Sequence, residues 1–200
     1  MKPKLATIKY HLGIDISKQD FHVALLRLSD REITAHQSFE NTATGHRKLI
    51  QWLGKRTEVT LPVHACMEAT GCYGDQLAIF LHNHLSKVSV VNPCAIKNFA
   101  AMKLRRNKSD KADARLIAEY SADRQPGAWE APSEEQIRLK ATARRIGQLQ
   151  HLYDMERNHL EAALEKHVRK DIQATMKSLK SRIEKNRAEL LIIIKANPVL

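Results

Sequence analysis

With 200 residues, 43% of them hydrophobic, and a net charge of +11, the chain has apolar material for one mixed domain plus a helical appendage, and a surface suited to a polyanion. That charge disfavours a small-molecule enzyme and points to nucleic acid ahead of a membrane surface. No apolar run reaches the roughly 18–20 residues of a membrane span, and Met1-Lys2-Pro3-Lys4 lacks the apolar segment of a secretory signal, so a cytoplasmic protein without a membrane partner is expected.

In chain order, Tyr10–Ser17, Phe21–Leu28 and Glu32–Phe39 alternate in short runs. The turn-like Ser17-Lys18-Gln19-Asp20 and Leu28-Ser29-Asp30-Arg31 separate them, which predicts three consecutive antiparallel strands. Thr44 precedes a helical stretch over 45–53 whose apolar residues at 49, 50, 52 and 53 share a face, with Gly54 available to end it. Val59–Met67 is the next apolar run and leads into Glu68; Tyr73–Leu85 reads as a helix, Lys87–Val91 as a short buried strand, and Asn92-Pro93 as the start of a helix reaching about Met102. The order β-β-β-α-β-α-β-α is that of a ribonuclease-H-like α/β sheet. A basic loop, Lys103-Leu104-Arg105-Arg106-Asn107-Lys108-Ser109, then feeds a helix over Asp110–Ala122, and Pro126, Gly127 and Pro132 mark a linker.

From Ser133 the sequence turns helical. Ile146, Leu149, Tyr153, Leu160 and Leu164 form one apolar stripe; Ile172, Met176, Leu179, Ile183, Leu190 and Ile193 form a heptad seam with Asn186 at one seam position. Two long helices joined near His167–Lys170 are expected, as an antiparallel hairpin or coiled coil through which the chain self-associates into a homo-oligomer. The expected domains are thus 1–130 and 133–197.

The chemistry gathers around Leu12-Gly13-Ile14-Asp15-Ile16-Ser17-Lys18, where isoleucines flank a lone carboxylate at the end of a buried strand. A carboxylate so placed pairs with a cation or binds a metal, because an unpaired buried charge is costly. Gly-Ile-Asp also opens sugar-kinase and actin-like folds, but those follow the acid with phosphate-cradling glycines, and here Ile16-Ser17-Lys18 follows. Glu68 stands where a strand opens toward a helix, the usual address of site residues in α/β proteins. Asp110 and Asp113 lie about 60° apart on one helix face; Ser109-Asp110-Lys111-Ala112-Asp113 reads equally as a capped helix start, and the two roles are compatible. Four carboxylates of this kind suit hard, octahedral Mg²⁺ (or Mn²⁺) and two-metal phosphoryl transfer. Lys18, Lys103, Arg105, Arg106, Lys108 and Lys111 are the candidate phosphate contacts. Cys66, Cys72 and Cys94 are odd in number and lack metal spacing, so neither a disulfide framework nor a zinc site is indicated.

Gly13-Ile14-Asp15-Ile16-Ser17-Lys18, Met67-Glu68-Ala69-Thr70-Gly71 and Asn107-Lys108-Ser109-Asp110-Lys111-Ala112-Asp113-Ala114, in this order and at these separations, resemble the DEDD-motif insertion-sequence transposases. That group includes the Piv-type DNA invertases and the bridge-RNA-guided recombinases. The resemblance implies a RuvC-like domain, with Asp15, Glu68, Asp110 and Asp113 as its metal-binding tetrad. DNA is the implied substrate, a structured guide RNA a further implied partner, and DNA transposition or recombination the implied activity. Family members carry a second domain with a serine nucleophile beyond the hairpin. The chain stops at Asn197-Pro198-Val199-Leu200, where that domain should begin, so the expectation is an amino-terminal fragment that does not complete recombination alone. A stand-alone RuvC-like nuclease such as a junction resolvase, and a non-catalytic nucleic-acid-binding oligomerisation module, are the alternative readings.

Overall fold

β1 (Tyr10–Ile16), β2 (Asp20–Arg27) and β3 (Glu32–Glu40) form an antiparallel meander, and β4 (Val63–Glu68) and β5 (Lys87–Val91) extend the sheet in parallel on the other side of β1. The computed structural model describes residues 7–57, 62–69, 71, 73–104 and 109–196. The strand order is β3-β2-β1-β4-β5, and with its flanking helices this is the ribonuclease-H-like arrangement expected from the element order. Parallel neighbours need crossovers, and the helices α1 (Ala43–Gly54) and α2 (Asp75–His82) provide them. The chain divides into two compact units, residues 1–131 and 132–200.

Alternation along the strands sorts side chains between the two faces of the sheet. Leu12, Ile14 and Ile16 of β1, with Phe21, Val23 and Leu25 of β2, point to one face. There they pack with Leu49, Trp52 and Leu53 of α1 and Leu77 and Leu81 of α2 in the main core. Phe21, Phe39 and Trp52 continue this core as an aromatic run, with ring centroids 5.5 and 6.0 Å apart. The opposite face carries His11, Gly13 and Asp15 of β1 and His64, Cys66 and Glu68 of β4. Against it lies α4 (Asp110–Arg124), which packs Ala114, Ala118 and Ala122 on Ala24 and Leu26, and Leu116 and Ile117 on Cys66. α3 (Pro93–Met102) precedes it and adds Ile96 and Phe99 to the second cluster.

Local chemistry sets the boundaries. The Asn92 side chain accepts from Cys94 N at 2.8 Å with Pro93 in the first helical turn, and Ser109 accepts from Ala112 N at 3.3 Å. Two expectations shift. The cap of α1 is Thr42, whose hydroxyl accepts from Gly45 N, and not the Thr44 that precedes the expected stretch, while the helix ends at Gly54 as expected. The helix expected over 73–85 shortens to Asp75–His82, because Gly74 takes the cap and Asn83 ends the turn.

In the second unit, α5 (Glu134–Ala162) begins at a reciprocal capping box between Ser133 and Gln136, and α6 (Lys166–Ala196) follows after only Ala163, Leu164 and Glu165. The turn therefore falls ahead of the expected His167–Lys170. Arg169 explains the position, since its guanidinium Nη1 donates to the carbonyls of Leu160 and Ala163, both at 2.8 Å, and satisfies acceptors the ended helix leaves open. Leu164, assigned from sequence to the α5 stripe, sits in the turn and is 93% exposed. Leu149 packs between Leu179 and Ile183, with Ile146 and Tyr153 alongside, so those seam residues are buried within the hairpin itself. Asn186 is half-buried and satisfies its amide on its own helix, donating to Arg182 O at 2.8 Å. Leu149→Ala is expected to cost about 2–5 kcal/mol of hairpin stability, read as a lower denaturation midpoint of the helical signal in the full chain.

Candidate functional site

One helix brings the sequence-predicted acids to one end of the sheet. A Cβ added at Gly13 would meet the carbonyl oxygen of Ala114 at 2.1 Å and the amide nitrogen of Ala118 at 2.2 Å, so the backbone of α4 lies directly on β1 at that point. Two residues back along β1, His11 Nδ1 is 2.8 Å from the hydroxyl of Ser121, a turn further along α4. The helix therefore runs antiparallel to β1: Ser121 lies over His11, Ala118 and Ala114 over Gly13, and the first turn, with Asp110 and Asp113, lies toward Asp15. Asp110 and Asp113 continue the stripe that Ala114, Ile117, Ala118 and Ser121 bury against the sheet. Asp113 follows Ile117 on the side of β4; Asp110 lies on the side of β2, with Oδ2 3.5 Å from His22 Nε2.

Asp15 and Glu68 occupy the carboxyl ends of adjacent parallel strands, one residue past the paired Ile14 and Met67. They share a face with His11, Gly13, His64 and Cys66, and both are half-buried. Asp15 is also the direct cross-strand partner of His22 in β2. His22 thus joins the site on two counts. The sequence reading missed it, although the register of the β1–β2 hairpin, with Ile16 opposite Phe21, carries the signal.

As to a metal, the donors are all hard carboxylate oxygens at one edge of one face, which is the right chemistry for a divalent cation. Among the described residues, however, no three His, Cys, Asp or Glu side chains converge closely enough to form a group that could hold an ion. The arrangement supplies the donors without closing them into a cage.

The cations are distributed unevenly. Lys18 is exposed in the turn after β1, where the Ser17 hydroxyl donates to Asp20 Oδ1 at 2.6 Å and holds the loop. Lys111 is exposed in the first turn of α4. Lys103 is committed elsewhere: its ammonium is 3.5 Å from Asp123 and 3.9 Å from Glu119, and sits 5.3 Å over the ring of Phe99. Arg105, Arg106 and Lys108 lie outside the described residues.

Below the acids, the same face holds a buried polar chain. His11 Nδ1 reaches Ser121 Oγ at 2.8 Å, Ser121 Oγ reaches His64 Nδ1 at 3.3 Å, His64 Nε2 reaches Ser89 Oγ at 2.8 Å, and the Ser89 hydroxyl donates to Gly127 O at 2.6 Å. With both imidazoles neutral, one proton order satisfies every link. Because Ser89 donates to the carbonyl, it must accept from His64 Nε2–H; His64 Nδ1 then accepts from Ser121, which accepts from His11 Nδ1–H. Both imidazoles are neutral in this order. Burial, then Lys87, lowers the His11 pKa to about 4 and the His64 pKa to about 3.

A family model describing transposases of the DEDD, IS110 type matches residues 12–169. Pilin gene-inverting proteins of Moraxella bovis and Moraxella lacunata are each 35% identical over 133 residues, covering 66% of this chain and 40% of their own. The chain thus spans about two fifths of the length of these curated relatives. Among solved structures, Thermus thermophilus RuvC in complex with a Holliday junction substrate matches 60% of this chain and 98% of its own, with 14% identity and a TM-score of 0.44.

Proposed function

Since the chain belongs to the DEDD transposase family, we propose that its first unit handles DNA in a strand-rearranging reaction, recombination or transposition, with a divalent ion at Asp15, Glu68, Asp110 and Asp113. The single observation that supports this is the shared edge: two strand-end carboxylates on one face, and a helix, α4, whose first turn carries two more toward that end of β1. When bound, such an ion supplies Lewis-acid stabilisation of charge at a phosphoryl group. The chain's own residues do the rest. Asp15 and Glu68 are fixed by the sheet. Asp110 and Asp113 sit in the first turn of a helix that Ser109 caps, with Asp110 beside His22. Lys18 and Lys111 flank the edge and attract the backbone. We take the ion as Mg²⁺, in keeping with the all-carboxylate donor set. The resemblance to guided recombinases and the +11 charge support a structured guide RNA as a second polyanion. Self-association through the helical unit belongs to the same reading, supported by Leu191 and Ile192, which are 56% and 67% exposed on α6.

Mn²⁺ titration of the purified chain by calorimetry tests the site without requiring turnover. Asp15→Asn and Asp113→Asn are each expected to weaken Mn²⁺ binding by more than about tenfold, as expected of lost metal ligands. Unchanged Mn²⁺ affinity in both variants would sink the metal assignment. Cleavage of a four-way DNA junction by the chain alone would favour the resolvase reading over the recombinase fragment. For self-association, sedimentation of the intact chain beside Leu191→Lys with Ile192→Lys decides: a monomer in both cases removes that part of the proposal.

A further inference from the structure

The same face of the sheet continues past the carboxylates onto β2 and β3. Asp15 faces His22 across β1–β2, and His22 faces Ser38 across β2–β3. One row further along, Ala24 faces His36. Between His22, His36, Gln37 and Ser38 of the sheet and Lys111 of α4 lies a cavity of about 260 Å³. Its chemistry is that of a small anion's host, with one ammonium, two imidazoles and a hydroxyl. Lys111 makes no ion pair among the described residues, and Arg115, one turn further along α4, is already paired with Glu119 at 2.9 Å. Two acids border it on the His22 side: Asp110, with Oδ2 3.5 Å from His22 Nε2, and Asp15, the cross-strand partner of His22. His36 Nδ1 is buried without a hydrogen-bond partner, a cost the fold bears unless something else binds there. Burial lowers the His36 pKa, and Lys111 and Arg115 lower it further, which means the cations around this ring outweigh the anions.

We propose that the cavity between Lys111, His36, His22 and Ser38 receives a backbone phosphate of the bound DNA strand. The inference rests on the reading of the first unit as a DNA-handling domain and adds a second point of attachment to it. Ser38 lies two strand spacings from Asp15, roughly 10 Å. A strand rises about 3.4 Å per nucleotide, so the phosphate held there would be about one to three nucleotides from the one at the carboxylates. A phosphate at that distance fixes the direction and register of the strand across the acids. Lys111 supplies the charge, and the His36 imidazole and the Ser38 hydroxyl supply the directed hydrogen bonds. An ion pair with a mobile lysine alone would hold the strand without orienting it.

Binding of a labelled DNA duplex of arbitrary sequence, with EDTA present so that no metal contributes, tests the assignment in the full chain. Lys111→Ala should lower the log–log salt slope by close to one. Ser38→Asp places a negative charge at the cavity and should weaken binding by about tenfold or more. Gln51→Asp, the same change of charge on the exposed side of α1 at the opposite face of the sheet, should do much less. In ¹⁵N-histidine spectra at fixed pH, the His36 signals should move on adding the duplex and should not move on adding inorganic phosphate at the same phosphate concentration. DNA binding in which Ser38→Asp and Gln51→Asp weaken affinity alike, or in which the His36 signals stay still, overturns the cavity and leaves the DNA-handling reading standing. A response to inorganic phosphate equal to that to the duplex overturns it in favour of a free-anion site. Failure of the wild-type chain to bind the duplex at all overturns the functional reading, and the cavity with it.

Discussion

Gly13→Ala is expected to be among the most damaging single substitutions in the first unit, lowering its stability by about 3 kcal/mol or more and weakening Mn²⁺ binding at the same time. The added methyl would sit 2.1 and 2.2 Å from backbone atoms of Ala114 and Ala118. No rotamer change can relieve a clash with main chain, so α4 must lift or slide, and Asp110 and Asp113 must move with it. Chemical denaturation and Mn²⁺ calorimetry on the same sample measure both effects. Gly147→Ala is the matched comparison. Gly147 lies inside α5 with nothing within 4 Å of an added Cβ, so there the methyl should stabilise by about 0.5–1 kcal/mol. A Gly13→Ala protein with wild-type stability and Mn²⁺ affinity would mean that α4 does not hold the acids in place.

Acid is expected to unfold the first unit earlier than its carboxylates alone would require. His11 and His64 have their pKa values lowered to about 4 and about 3 in the folded chain, against 6.5 for an unperturbed imidazole. The folded state therefore favours the neutral rings, and the unfolded state binds the protons. Stability from this source is complete above pH 6.5 and is lost as pH falls from there toward 3, with a slope approaching two protons, or about 2.7 kcal/mol per pH unit, in the middle of that range. Burial gives the structural reason, with Lys87 adding to it: a charged ring on either histidine would lose its hydration inside the face that α4 covers. Urea midpoints between pH 7 and 4 measure the slope. His64→Gln, whose amide can donate to Ser89 and accept from Ser121, should cost stability at pH 7 and reduce the slope by about one proton. An unchanged slope in that variant would place the acid sensitivity elsewhere.

Much of the fold could be read from local chemistry. The three-strand meander followed from period-two alternation and two turn clusters, α3 from Asn92-Pro93, and the start of α4 from Ser109. Where local signals competed, the reading slipped. Thr42 and Thr44 are both plausible caps, and geometry chose the one whose hydroxyl reaches Gly45 N. The turn between the long helices depends on Arg169 reaching back to Leu160 and Ala163, which no spacing rule contains. For the candidate site, the motifs pointed to the acids, while the antiparallel course of α4 over β1, which carries Asp110 and Asp113 toward the end of the strand that holds Asp15, is a tertiary fact. Gly13 was quoted as part of a motif, while its physical role, admitting a helix backbone against a strand, emerges only from the packing. The His11–Ser121–His64–Ser89 chain joins residues up to 110 positions apart and was not legible at all.

The bond from Ser89 to Gly127 has a consequence for how the sheet meets other molecules. Trp129 N also donates to Val88 O at 2.8 Å, so residues 127–129 lie against β5 and take up a backbone acceptor of that edge strand. An uncovered strand edge is a template for pairing with another chain. At the opposite edge, the pairing of β2 with β3 shifts register between Leu25 and Leu26, and β3 begins and ends with the exposed glutamates Glu32 and Glu40. Local irregularity and terminal charge both discourage strand addition. Cutting the chain after Arg124 would strip the cover from β5 while leaving every strand and helix of the first unit intact. Such a shortened protein should be prone to sheet-to-sheet aggregation at concentrations where the longer chain stays dispersed.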